Sequence, residues 1–202
     1  DIPEGEILVT KFVSDTEIAE GFPKTEISYF KRLDRWIRGD IQNIALVFDR
    51  TEKDTQSTVR LSSVSRYKLL ENIRRAVTPV LQLVTLFTGS IVYGLNPTSF
   101  FRTSVLSCVI VILSLDGPYE IFLLGQRAFV CFRAAVKALV RRFITHKNML
   151  SWTTAAGSEA LSDKTLRKNI LFLFPGTLAG VVLLLLPGMA KLFGAFFVMN
   201  IF

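Results

Sequence analysis

Histidine is almost missing from this sequence: His146 is the one copy among 202 residues. A Ser-His-Asp triad or a His-rich metal centre would have only that residue to draw on. Cysteine is nearly as scarce. Cys108 and Cys131 stand in apolar surroundings with no metal-ligand spacing, so they read as small buried hydrophobes. There is no Gly-rich phosphate loop, no Gly-x-Ser-x-Gly elbow and no internal repeat. The start lacks the basic n-region of a signal peptide, with Asp1 and Glu4 in its place. The sequence begins in mid-motif and ends inside an apolar run at Phe202, and so reads as a fragment of a longer protein.

Acidic residues become rare after the first third. Residues 1–75 hold 13 Lys+Arg and 13 Asp+Glu, whereas residues 76–202 hold 11 and 4, so the whole excess of +7 sits in the apolar part. Half of the residues are apolar and the mean hydropathy is +0.41. A basic protein that binds nucleic acid would not place its surplus between long apolar runs. A membrane protein would, because Lys and Arg collect on the cytoplasmic side.

Along the chain, residues 1–10 suit a short helix or turn, and 12–18 (FVSDTEI) read as a β-branched, alternating strand. A helix is expected from Thr25, which can cap it, with Ile27, Phe30, Ile37, Ile41, Ile44 and Phe48 on one face. Its opposite stripe holds Arg32, Arg35, Trp36 and Gly39. Residues 49–63 form a polar loop, and 64–75 a basic amphipathic helix leading into the membrane.

Four apolar runs follow: 76–95, 98–115, 170–186 and 188–202. The first would extend about 30 Å as a helix, which matches a bilayer core, with Pro79 in its first turn. Arg102 and Lys191 lie near outer ends and can snorkel. The segment 119–147 has a helical pattern, with Arg133, Lys137 and Arg141 as a basic stripe. Phe129, Phe132, Val136, Leu139, Val140 and Phe143 form its apolar face. Such a helix is expected to lie in the membrane interface. Residues 125–168 carry nine Lys+Arg and two acids, which places them in the cytoplasm together with 1–75.

The most informative stretch is Arg32-Leu33-Asp34-Arg35-Trp36-Ile37-Arg38-Gly39-Asp40. It resembles the Q-x-x-R-W motif of processive inverting glycosyltransferases, with Arg32 in place of Gln. That departure fits the cyclic β-1,2-glucan synthases, whose membrane-bound transferase region looks like R-x-x-R-W-I-R-G-D here. Asp1…Glu4-Gly5 looks like the end of that family's Ser-His-Asp…Glu-Gly segment. Residues 65–75 (SRYKLLENIRR) look like its approach to the membrane, with Tyr67 for Trp and Glu71 for Asp. Residues 150–156 (LSWTTAA) look like its L-x-W-T-T-A-A stretch.

The resemblance implies the chemistry. Inverting transfer needs a carboxylate to take the acceptor hydroxyl's proton during attack on the anomeric carbon. The family's base precedes the Trp by an interval like that between Asp1 and Trp36, so Asp1 is the base candidate; an N-terminal helix-capping Asp is the plainer alternative. A departing nucleotide diphosphate needs cations, and guanidinium supplies bidentate donors. Arg35 and Trp36 take the diphosphate and the glucosyl ring, with Arg32 and Arg38 as further cations and Asp40 holding Arg38 or Arg35 in place. The alternative is a solvated helix face whose Trp packs at the membrane interface. The resemblance also implies a divalent cation, Mg or Mn, whose Asp-x-Asp ligands lie outside this sequence; no metal ligand is assigned within it. The fragment alone is expected to be inactive.

The expected fold is mixed. The C-terminal part of a GT-A-like α/β glycosyltransferase domain (1–63) would lead through a basic helix (64–75) into an α-helical transmembrane bundle of about four spans. The bundle would comprise a hairpin (76–118), a cytoplasmic interfacial amphipathic helix and loop (119–168) and a truncated hairpin (169–202). The implied partners are UDP-glucose, a glucan acceptor, membrane lipid, an upstream transferase segment and a downstream glycoside-phosphorylase-like domain, with no nucleic acid. The implied location is the bacterial inner membrane, multi-pass. Two other readings compete: a polysaccharide synthase of the cellulose or hyaluronan type, and a polytopic transporter subunit.

Overall fold

The computed structural model describes residues 23, 25–48, 61–96, 101–115, 117–145 and 166–199. Among them every regular element is helical: α1 (Glu26–Gln42), α2 (Ile44–Val47), α3 (Ser63–Leu95), α4 (Leu106–Leu113), α5 (Glu120–Val140), α6 (Leu166–Leu185) and α7 (Lys191–Met199). A π-helical turn, Phe101–Val105, leads into α4, and another, Arg141–Thr145, extends α5.

The expected GT-A-like α/β domain is therefore corrected: the described residues contain no strand. The strand reading of 12–18 lies outside them. The apolar residues of 26–42 recur at the helical period, and that face, Ile27, Phe30, Ile37 and Ile41, is buried. Thr25 caps α1 as its sequence suggests. Its Oγ1 accepts from the Ser28 N–H at 3.2 Å, and the Ser28 hydroxyl approaches the Thr25 backbone N–H at 3.4 Å in return.

The count of about four spans is corrected as well. Among the described residues, only α3 is long and apolar enough to cross a membrane. The apolar stretches Arg102–Leu113 and Ile170–Leu185 are shorter. At 1.5 Å per residue they reach about 18 and 24 Å, less than the ~30 Å of a hydrocarbon core. Pro79 does not open a helix: α3 runs unbroken from Ser63, and Pro79 is buried inside it. There it withholds the N–H that would bond the carbonyl one turn back.

The segment expected as an interfacial helix is α5, helical from Glu120 to Val140 as its pattern suggests. It is the central element, packed against α1, α3, α6 and α7. Its inward face is made of Leu124, Gly125, Gln126, Ala128, Cys131, Ala134 and Ala138. The large apolar residues Phe132, Val136, Leu139, Val140 and Phe143 point outward and are exposed. Small residues permit close approach, and the bulky ones are displaced to the outside.

Two apolar clusters follow from this arrangement. One joins Leu86, Cys108, Val111, Leu124, Leu183, Phe193 and Phe197 from five helices. The other joins Ile37 and Ile41 of α1, Ala76 of α3, and Cys131, Ala134 and Ala138 of α5. A close seam lies between α6 and α7: a Cβ on Gly180 would sit 2.7 Å from Phe197 Cβ and 2.9 Å from the Gly194 carbonyl oxygen. Gly176 and Gly180 stand four apart in Gly176-Thr177-Leu178-Ala179-Gly180, a small-xxx-small spacing.

Polar side chains secure the rest. The Gln126 amide donates to the Phe172 carbonyl at 2.7 Å and accepts from the Gly176 N–H at 3.2 Å, bridging α6 beside Pro175. Gln82 of α3 donates to the Ser114 hydroxyl at 2.8 Å, just beyond the end of α4. The turn at Pro187-Gly188 needs glycine, because Gly188 has φ +100. The next N–H, of Met189, donates to Ser104 Oγ at 2.8 Å.

Gly180→Ala is expected to destabilise the chain by about 1–3 kcal/mol through overpacking of the α6–α7 seam. Gly39→Ala is expected to stabilise it by about 0.5–1 kcal/mol, because the new Cβ meets nothing within 4 Å on a helix. Thermal unfolding of the two variants in detergent checks the opposite signs.

Candidate functional site

The R-x-x-R-W-I-R-G-D stretch lies wholly on α1, and the helix divides its residues between two faces. Trp36 is 51% exposed, a large value for the most apolar ring in the stretch. The Arg32 guanidinium carbon stands 5.6 Å from the Trp36 ring centroid, in cation–π range. Arg35 is half-buried beside it, and the space above Gly39 is open. Arg32, Arg35, Trp36 and Gly39 thus form one accessible stripe, as their i, i+3, i+4, i+7 spacing requires.

Arg38 faces the other way. Its Nε donates to Asp34 Oδ2 at 3.0 Å, while Arg133 Nη2 of α5 donates to Asp34 Oδ1 at 3.0 Å. Asp34 is buried, and its carboxylate is shared between two guanidinium groups on two helices. The residue that holds Arg38 is therefore Asp34. Asp40 instead accepts from Asn72 Nδ2 of α3 at 3.2 Å. Burial pushes the Asp40 carboxyl above its ordinary range, against the Asn72 hydrogen bond and the nearby Arg75 charge. At the end of α1, Arg142 donates to the Gln42 carbonyl, a cation on the negative pole of the helix.

Asp1 lies outside the described residues. Of the other expected site residues, Arg32, Arg35 and Trp36 share the open face, while Arg38 and Asp40 sit in the joints to α5 and α3. Sequence reasoning missed Asp34, Asn72 and Arg133 as the partners that fix α1. The Asp34–Arg38 spacing of four was a readable signal; the cross-helix partners left none. The described residues do not fit a divalent cation. No group of three or more His, Cys, Asp or Glu comes together among them, and Asp34 and Asp40 are engaged by Arg and Asn donors.

No family model matches this chain, and no solved structure matches it. Among curated proteins, the chain is similar to the cyclic beta-(1,2)-glucan synthase NdvB of Rhizobium meliloti (strain 1021), with 26% identity over 189 residues. The match covers 77% of this chain and 6% of NdvB, so the chain spans a small part of the relative's length. The likeness supports a distant relationship to a glucan synthase, and with it a broad link to glycosyltransferases and polysaccharide biosynthesis. One helix able to cross a membrane accords weakly with membrane association.

The two aspartates should behave oppositely when altered. Asp34→Ala leaves Arg38 and Arg133 without their shared acceptor and is expected to cost about 1–3 kcal/mol. Asp40 has a raised pKa, so its contribution is fully present below the unfolded value of about 3.9 and is lost as pH rises through the folded value. Asp40→Asn removes that loss, and its amide oxygen can still accept from Asn72. Melting temperatures from pH 4 to 7 should show Asp40→Asn gaining on the wild type as pH rises. A constant or shrinking difference would contradict this account of Asp40.

Proposed function

We propose that this chain is part of a membrane-bound glucan synthase that transfers glucose from UDP-glucose to a growing β-1,2-glucan, with inversion and processively. The supporting observation is the two-sided α1. One side is bolted to α3 and α5 through Asp40 and Asp34, and the other presents Trp36, Arg32 and Arg35 to the outside. The distant likeness to NdvB adds support.

In this reading the acceptor glucosyl ring rests on the Trp36 face. Arg35, with Arg32 alongside, offers guanidinium donors to the diphosphate. Arg38 and Asp40 hold the helix that carries them. The acceptor hydroxyl attacks the anomeric carbon, its proton passes to Asp1, and UDP departs from the opposite face. Donor-binding residues come from an upstream transferase segment, and a glycoside-phosphorylase-like domain follows downstream. In the bacterial inner membrane, α3 crosses the bilayer and the shorter apolar helices enter it, which gives the exposed apolar residues Leu81, Val84, Leu106, Ile110, Leu178 and Val181 a lipid solvent.

The test uses the full-length enzyme with UDP-glucose and a β-glucan primer. Asp1→Asn should lower turnover by about 10²–10⁴-fold with donor affinity nearly intact. Trp36→Ala should weaken acceptor engagement, and Arg35→Ala should lower turnover. Gly39→Leu should preserve stability yet impair acceptor binding, because it fills the open space beside Trp36. If Trp36→Ala and Gly39→Leu both leave the acceptor KM unchanged, α1 is not an acceptor platform.

A further inference from the structure

The basic stripe of α5 is not consumed by the site above. Arg133, Lys137 and Arg141 follow at spacings of four, and Arg38 approaches the same edge from α1. Asp34 is the acid that faces them, and it already serves Arg38 and Arg133. Lys137 is exposed and makes no ion pair among the described residues. Arg38, Arg133 and Arg141 thus stand about Lys137, and Asp34 is the acid whose charge reaches it. Partial desolvation, then Arg141 and Arg38, hold the Lys137 ammonium below its usual range, with Asp34 opposing them and Arg133 adding to them.

Two further observations say what kind of anion belongs there. Val136 and Val140 are one before and three after Lys137 on the helix, and with Phe132 and Phe143 they form an exposed apolar strip beside the cations. A soluble phosphate has no use for such a strip; an acyl chain does. The level is also right. Ala134 and Ala138 pack in one cluster with Ala76, where the apolar run of α3 begins, and exposed Arg74 and Arg75 lie just before it. The stripe is thus level with the boundary between basic and apolar sequence on the helix that crosses the bilayer.

We propose that this edge of α5 binds an anionic glycerophospholipid, with Lys137 as the anchor for its phosphate, Arg133 and Arg141 beside it, and Phe132, Val136 and Val140 along its acyl chains. The proposal rests on the membrane reading of the chain. Its charge complementarity is that of basic residues at the surface of an anionic leaflet, but localised by a carboxylate that fixes Arg38 and Arg133.

The experiment places a reporter at the strip: Val140→Trp in a Trp36→Phe, Trp152→Phe background of the 202-residue chain, reconstituted in vesicles. Quenching by phosphatidylglycerol with brominated chains is compared with quenching by brominated phosphatidylcholine. The association constant for phosphatidylglycerol should be higher by about fivefold or more, the worth of one cation at an anionic surface. Lys137→Gln should bring the ratio towards one, while Lys137→Arg and the remote Lys191→Gln should keep it. A ratio near one in the parent protein, or a ratio unchanged by Lys137→Gln, overturns the proposal. Loss of the preference on adding millimolar glycerol 3-phosphate would assign the site to soluble phosphates and overturn the lipid. If neither lipid quenches the reporter, the membrane reading itself fails.

Discussion

Close backbone approach along the small-residue face of α5 and the α6–α7 seam is the constraint on which the rest depends. In hydrocarbon, an apolar side chain gains little by leaving lipid for protein, so helices associate through packing and polar contacts rather than through the hydrophobic effect. Gly125, Ala128, Ala134 and Ala138 admit neighbours on every inward side of α5, and Gly180 and Gly194 bring two backbones within contact. Gln126 then contributes what water would otherwise supply, offering its amide to both a carbonyl and an N–H of α6 near Pro175. The same geometry forces the large residues outward. An apolar exterior of this extent would be a liability in water, and it is the expected exterior of a chain solvated by lipid.

α1 packs on the small residues of α5, and burial is not all that holds it. Its apolar face meets α5, the start of the apolar part of α3 and, through Phe30 against Phe172, α6, and charge and hydrogen bonding fix its rotation. Asp34 ties it to Arg133, Asp40 ties it to Asn72, and Arg142 closes its carboxyl end. A buried carboxylate with two guanidinium partners is costly to form and sharply directional, which suits it to fixing a register more than to adding stability. With the rotation fixed, the face carrying Arg32, Arg35 and Trp36 must point away from the helical body.

Much of this was legible in the sequence at the level of single helices. The periodicity of Ile27, Phe30, Ile37 and Ile41, the Thr25 cap and the extent of α5 all emerge from local pattern. The partners of α5 were less legible: Phe132, Val136 and Phe143 read as an apolar face and are exposed, but nothing local showed that the small residues on its other side would pack against α1, α3, α6 and α7. The span count failed for a different reason: hydropathy measures how apolar a run is, but whether 12 or 16 helical residues cross a bilayer is a question of length. The α/β expectation came from the alternating pattern of 12–18, which lies outside the described residues, and from a family resemblance, whereas the described part of 1–63 is helical. In the candidate site, the stripe of Arg32, Arg35 and Trp36 was readable from spacing. The pairing of Asp34 with Arg133, 99 positions away, was not, because nothing local encodes which basic residue a distant helix brings.

These mechanics bear on why a platform of this kind would be built on membrane helices. A processive transferase must hold successive acceptor rings at one distance from one base while the product moves past. An aromatic face suits the moving part, since it binds a pyranose by its flat apolar side and demands no particular pattern of hydroxyl donors. Such contact persists almost equally before and during transfer, so it holds the acceptor without trapping it. The stationary part then needs rigidity that a loop would not provide. On α1, Trp36 is two residues from Asp34 and four from Asp40, and these anchors lead to α5 and to α3. A displacement of α1 would have to break the shared carboxylate of Asp34, which therefore couples the position of the Trp36 ring to the helical body.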